Sequence, residues 1–254
     1  MIGPVRMLWW REIVRFVRQR SRLVGAFVQP LVFWLLLGSG LSASFRPAGE
    51  AGMTYLQYFY PGVLAMVLLF TAIFATIAVV EDRRSGFLQA VLVAPVSRSA
   101  VVAGQALGAT TLAVLQAALF VVLAPLAGLP VSVAGVAGAL VVSAAVAFGL
   151  VNLGLAIAWR MESTQGFHAV MNLLLLPIWF LSGAVFPAEG LSGPVGWAMR
   201  LDPLTYGVAL LRGCFGTNGL LLPPAALSLA VVVAFGAGTF AVATEVARRS
   251  GTLG

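Results

Sequence analysis

Six apolar stretches, at residues 23–41, 61–80, 100–124, 131–159, 167–186 and 220–246, set what this chain can become. A hydrocarbon core about 30 Å thick is crossed by about 20 residues of helix at about 1.5 Å each, so these runs match or approach that length. Inside a bilayer every backbone N–H and C=O must be satisfied within the protein, which makes helix the form for separate runs of this kind. The expected fold is therefore an all-α membrane protein, a single transmembrane domain over residues 1–254. With 61% apolar and 9% charged residues, the composition is far from that of a soluble domain, where about a quarter are charged.

The segments between the stretches carry the charge, and most of it is of one sign. From residue 4 to 22, Arg11, Arg15, Arg18 and Arg22 fall on one stripe of a helix, with Trp9, Trp10, Ile13, Phe16 and Val17 roughly opposite. This pattern predicts an amphipathic interfacial helix with its aromatic face in the acyl boundary and its arginines toward anionic headgroups. A cleavable signal is not expected, because the apolar run at 23–41 outlasts a signal core of about 7–15 residues. Residues 42–60, with Tyr55, Tyr58 and Tyr60, read as a loop at the far interface. Residues 187–218 hold Gly, Pro and scattered charges around two runs, 190–201 and 204–216, too short to cross. These are expected to be re-entrant half-helices, with protein covering their broken backbone.

All fifteen basic residues are arginine. Twelve lie on the side of the N-terminal helix, residues 81–98, Arg160 and the C-terminus, against Arg46, Arg200 and Arg212 on the other. The positive-inside bias makes the first side cytoplasmic, with both termini. The net charge of +7 is then a signature of topology, and no nucleic-acid partner is expected.

What is missing narrows function. No charged residue lies near the middle of any stretch, which argues against an ion-driven carrier and against an intramembrane protease. The single Cys214 and single His168 are too few for a metal site. Gln105, Gln116 and Asn152 are expected to hydrogen-bond between helices, and Gly104 with Gly108 forms a G-x-x-x-G face for close packing. A phosphate-cradling P-loop requires lysine, and there is none, so ATP-driven work would need another polypeptide.

Two blocks then resemble a known family. Glu81-Asp82-Arg83-Arg84-Ser85-Gly86-Phe87-Leu88, continuing through Leu92 to Ala94-Pro95-Val96-Ser97-Arg98, resembles the E-x-x-x-x-G-[TS]-L-E-x-L-L-x-[AT]-P-V-S-R element of type-2 ABC transporter permeases. Leu181 to Pro187, L-S-G-A-V-F-P, and then Leu201 to Tyr206 and Arg212, look like the S-G-x-x-F-P and N-P-L-T-Y elements of the same family. Phe87 stands where Thr or Ser is common, Gln89 where Glu is common, and Asp202 where Asn is usual.

The resemblance implies that 81–98 carries a cytoplasmic coupling helix docked on a nucleotide-binding subunit through Glu81, Asp82, Arg84, Gly86, Phe87, Leu88, Val91, Leu92 and Pro95. Independently, Gly86 permits a sharp turn, Leu88, Val91 and Leu92 form an apolar strip at i, i+3 and i+4, and Pro95 stops the helix. The second block implies an external re-entrant gate with Ser182, Gly183, Phe186, Pro187, Pro203 and Tyr206. The expectation is a non-catalytic permease subunit of an ATP-driven exporter, multi-pass in a prokaryotic cytoplasmic membrane. ATP and Mg would sit on two copies of a separate P-loop ATPase, with no cofactor on this chain, and a second permease copy would complete a homodimer. The expected cargo is hydrophobic, drug-like or lipid. A glycan exporter with Phe70, Phe74, Phe120 and Phe148 as stacking rings is the alternative, and a motor-independent channel or carrier is the alternative of another class.

Overall fold

The structure is a computed structural model that describes residues 2–41, 53–93, 95–186, 193–216 and 223–250. Its helices are α1 (Ile2–Arg18), α2 (Arg20–Gly40), α3 (Tyr55–Arg84), α4 (Phe87–Val93), α5 (Arg98–Val121), α6 (Val133–Ala158), α7 (Thr164–Leu181), α8 (Pro194–Leu201), α9 (Pro203–Cys214) and α10 (Ala225–Arg249). Among the described residues there is no strand. By length and composition α3, α5, α6, α7 and α10 suffice to cross a membrane. The sixth expected span falls in α2, whose last 18 residues, 23–40, carry no charge.

The axis of the bundle is α3. Of its most apolar window 89% is buried, against 17% for α10, so α3 is the central post and α10 lies at the periphery. Around α3 stand α2, α5, α6 and α7, while α10 packs on α6 and α9. A helix apolar on all sides is stable only when enclosed. At 30 residues α3 is about 45 Å long, well over a bilayer core.

Its ends lie well outside the expected 61–80. Tyr55 to Tyr60, expected in a loop, are helical because Thr54 closes a capping box: its hydroxyl accepts from Gln57 N, and Gln57 Oε1 accepts from Thr54 N at 3.0 Å. At the other end Glu81 to Arg84 continue the helix. Hydropathy marks where lipid begins, whereas caps mark where a helix ends, and here the two differ.

The interfacial helix is also shorter than expected. It stops at Arg18, and Gln19 leaves helical geometry with ψ 73° before α2 begins at Arg20. The stripe of four arginines is thus split between two helices. The G-x-x-x-G face of α5 receives α1: a Cβ on Gly104 would lie 2.7 Å from Leu8 Cβ, and one on Gly108 2.7 Å from Glu12 Cβ. Trp9 Nε1 donates to Thr111 Oγ1 at 3.0 Å along the same seam. Gly108→Val is expected to force α1 off α5 at a cost of about 1–3 kcal/mol. A lowered thermal midpoint and faster proteolysis of α1 would report this. Gly213→Ala, whose Cβ meets nothing within 4 Å, should leave both unchanged.

Of the polar residues in the spans, Gln116 meets the interhelical expectation, since Thr71 Oγ1 of α3 donates to Gln116 Oε1 of α5. Asn152 instead donates to Phe148 O on its own helix at 2.8 Å.

Candidate functional site

Gly86 joins α3 to α4 at φ +75°, in the left-handed region that glycine adopts without the steric cost of a Cβ. From this turn α4 runs as a short rod. Leu88 is 3% exposed and belongs to the core, and Val91 packs against that core. The exposed side chains of the rod are Phe87, Gln89, Ala90 and Val93, the last 87% exposed, followed by Pro95. Of the strip expected to dock, Leu88 seats the rod on its own protein, while the face of Gln89, Ala90 and Val93 is exposed. The side chain of Leu92 lies outside the described residues.

The charges beside the rod are also committed internally. Asp82, 3% exposed, accepts from Arg11 through both oxygens at 2.7 Å and from Arg15 Nη1 at 2.6 Å. Arg15 Nη2 reaches Glu81 Oε2 at 2.6 Å, and Arg83 Nη1 donates to Trp159 O at 2.6 Å. A bidentate arginine fork on a carboxylate is among the stronger and more directional charge pairs. Glu81 and Asp82 thus clasp α1 to α3, while Arg84 of the expected docking set is exposed. Arg11 and Arg15, expected toward headgroups, here bond to Asp82 and Glu81 of α3. Burial on the α5 seam pushes the Glu12 carboxyl up to about 7, outweighing Arg11 and Arg15, although Arg11 Nη1 donates to Glu12 Oε1 at 3.0 Å.

Phe87 has a partner that the sequence did not reveal. The Arg11 guanidinium lies 3.9 Å from the centroid of its ring, a cation–π contact that links α1 to the first residue of α4. The chain's departure at this position therefore faces its own clasp. Trp10 is 59% exposed on the outer side of α1, whereas Trp9 is turned to α5; Arg18 is exposed, and the side chain of Arg22 lies outside the described residues.

At the opposite end, the L-S-G-A-V-F segment gathers onto α3. Gly183, φ +74°, offers its carbonyl to Tyr58 OH at 2.9 Å and to Arg212 Nη2 at 2.7 Å. The buried Arg212 guanidinium also lies 4.2 Å from the Tyr58 ring centroid. Ser182 Oγ donates to Trp179 O at 2.7 Å, Trp179 Nε1 to Gly62 O at 2.8 Å, and Tyr55 OH to Val185 O at 3.0 Å. Asp202 Oδ1 accepts from Leu204 N at 2.9 Å and caps α9, with Pro203 in its first turn; an aspartate serves the cap as well as the usual asparagine. Tyr206 OH donates to Arg200 O at 2.8 Å, tying α9 to α8. Phe186 is half-buried, and Pro187 lies outside the described residues. Tyr58 and Trp179, central to this cluster, were legible only as interface aromatics or core.

Apolar helices around a buried central post, with both short elements anchored to that post, define a multi-pass helical membrane protein. The chain belongs to the ABC-2 type transporter family, whose model matches residues 4–215. It is 27% identical over 218 residues to a protein of Cyanophora paradoxa described as a transport permease, ycf38, covering 83% of this chain and 73% of that one. It is also 28% identical over 208 residues to nodulation protein J of Rhizobium leguminosarum bv. trifolii, covering 81% and 78% respectively. Nodulation protein J of Rhizobium meliloti (strain 1021) is 26% identical over 209 residues, covering 81% and 76%. The chain is accordingly a transport permease by family, and α10 lies beyond the family match.

Proposed function

We propose that the chain is the membrane-spanning subunit of an ATP-driven exporter, working as a pair with two copies of a separate P-loop ATPase. The observation that carries this reading is α4 itself: a short helix held on its own bundle by Leu88 and leaving Gln89, Ala90 and Val93 uncovered. Phe87 and Val93, 37% and 87% exposed, give this short rod apolar area that suits a protein groove. Both termini and α4 lie in the cytoplasm on this reading, in keeping with the arginine distribution.

The transmission follows from the contacts. ATP binding closes the motor subunits and displaces α4. Gly86 passes the movement to α3, the Asp82 clasp passes it to α1, and the Gly104/Gly108 seam passes it to α5. Packed helices shift as bodies between discrete arrangements, and cargo moves outward where two copies meet. The cluster of Gly183, Tyr58 and Arg212 forms the external gate.

A hydrophobic drug-like or lipid cargo is favoured over a glycan because all four candidate stacking rings already pack within the chain, Phe70 being buried and 6.4 Å from Phe74. Phe120 is fully buried, stacked on Tyr60 at 4.9 Å, and Phe148 packs on Phe240 at 5.8 Å. The test is biochemical. The purified chain is expected to hydrolyse no ATP, and affinity capture from native membranes to bring down a P-loop ATPase. ATP hydrolysis by a pure sample, or transport that persists through ATP depletion, would overturn the proposal.

A further inference from the structure

Helices α6 and α10 pack along each other and leave a groove on their outer side. The two helices run alongside each other in the same direction. The Phe235 ring fills the space left by Gly149, where a Cβ would approach it to 2.4 Å. From there toward the arginine-rich end opens a cavity of about 260 Å³ lined by Leu153, Ala156, Phe235, Gly238, Thr239 and Val242. The one polar lining residue is internally satisfied, since Thr239 Oγ1 donates to Phe235 O at 2.8 Å. A Cβ at Gly238 would meet nothing within 4 Å, so glycine keeps the groove open rather than admitting a neighbour.

Both walls end in arginine. Beyond the end of α6 at Ala158, the turn that closes the helix carries Arg160, which is exposed. On α10 the face of Phe235, Gly238 and Val242 continues through Glu245 to Arg249, which are paired. Arg248 is also exposed here, and the acids at this end are Glu162 and Glu245, the latter 2.7 Å from Arg249. Three arginines against two acids leave the mouth of an apolar groove net positive.

We propose that this groove holds an acyl chain of an anionic phospholipid from the adjoining leaflet, with its phosphate at Arg160 and Arg249. The occupant is identified by the junction of an apolar slot with a cationic mouth at the end of two membrane-crossing helices. An acyl chain matches the lining, and a phosphate matches the guanidinium groups. The site is independent of the motor and of cargo, and does not rest on the exporter reading.

Native mass spectrometry of the full chain, with dioleoylphosphatidylglycerol or dioleoylphosphatidylcholine at equal mole fraction, tests it. Retention of phosphatidylglycerol over phosphatidylcholine is expected at roughly fivefold, the preference of about one effective arginine at an anionic headgroup once Glu245 is discounted. Gly238→Leu fills the slot without a backbone clash and is expected to abolish retention of both lipids. The double variant Arg160→Gln, Arg249→Gln, confined to exposed side chains, is expected to retain lipid but lose the preference. Equal retention of the two lipids by the unaltered chain, or undiminished retention by folded Gly238→Leu, would overturn the proposal. So would disulfide cross-linking of Gly238→Cys between two copies, which would make the groove a contact between chains.

Discussion

Replacing Asp82 by alanine is expected to release α1 from the bundle and to stop transport. The carboxylate is 3% exposed and receives three charged hydrogen bonds, two from Arg11 and one from Arg15, so its loss leaves two arginines facing a gap beside Ala78. Removing one partner of a buried ion pair costs about 3–5 kcal/mol. The arginine side chains keep 31% and 21% of their exposure, which places the expected loss near the lower end, about 3 kcal/mol. The measurement is the thermal midpoint in detergent together with transport in vesicles. The swap Asp82→Arg with Arg11→Asp separates charge pairing from side-chain size. Partial rescue supports the clasp, and an unchanged midpoint in Asp82→Ala would refute it.

A second large effect distinguishes the two faces of α4. Ala90→Asp with Val93→Asp puts two carboxylates on the uncovered face and touches nothing in the core. If that face is covered by the ATPase, each unpaired charge costs about 1–3 kcal/mol, and together they should weaken the complex on the order of a hundredfold. Stability of the isolated chain should not change. Leu88→Asp is expected to do the reverse, lowering the thermal midpoint because Leu88 is 3% exposed inside the bundle. If Leu88→Asp kept normal stability while the Ala90, Val93 variant still captured the ATPase, α4 would be seated the other way round.

Leu88 also shows where sequence reading reaches its limit. A strip at i, i+3 and i+4 establishes that one face of a helix is apolar, but two apolar surfaces compete for it: the chain's own core and a partner's groove. On α4 the core takes Leu88 and Val91, and a face that looks mixed in the sequence, Gln89, Ala90 and Val93, is left uncovered. The arginine stripe of α1 behaves alike. Periodicity aligned Arg11 with Arg15, yet headgroups and carboxylates are equally good acceptors, and the fold supplied carboxylates.

The G-x-x-x-G face was legible as a packing surface because only glycine permits such an approach. Its partner was not legible, since any helix with a small ridge fits it. Phe87 was visible as a departure from the family pattern, while its use was not, because the Arg11 guanidinium that covers it belongs to a helix far away in the chain.

By itself the sequence determined the order of the apolar runs, the concentration of arginine between them and the absence of a lysine-bearing P-loop. Each of these is a local property: apolar runs, charges counted between them, or a residue type that is missing. Tertiary structure alone decided that α3 is the enclosed post, that Leu88 faces inward, and that Arg11 closes on Asp82. That last pair is 71 positions apart, and the geometry of charges so distant in the chain exists only once the helices between them have packed.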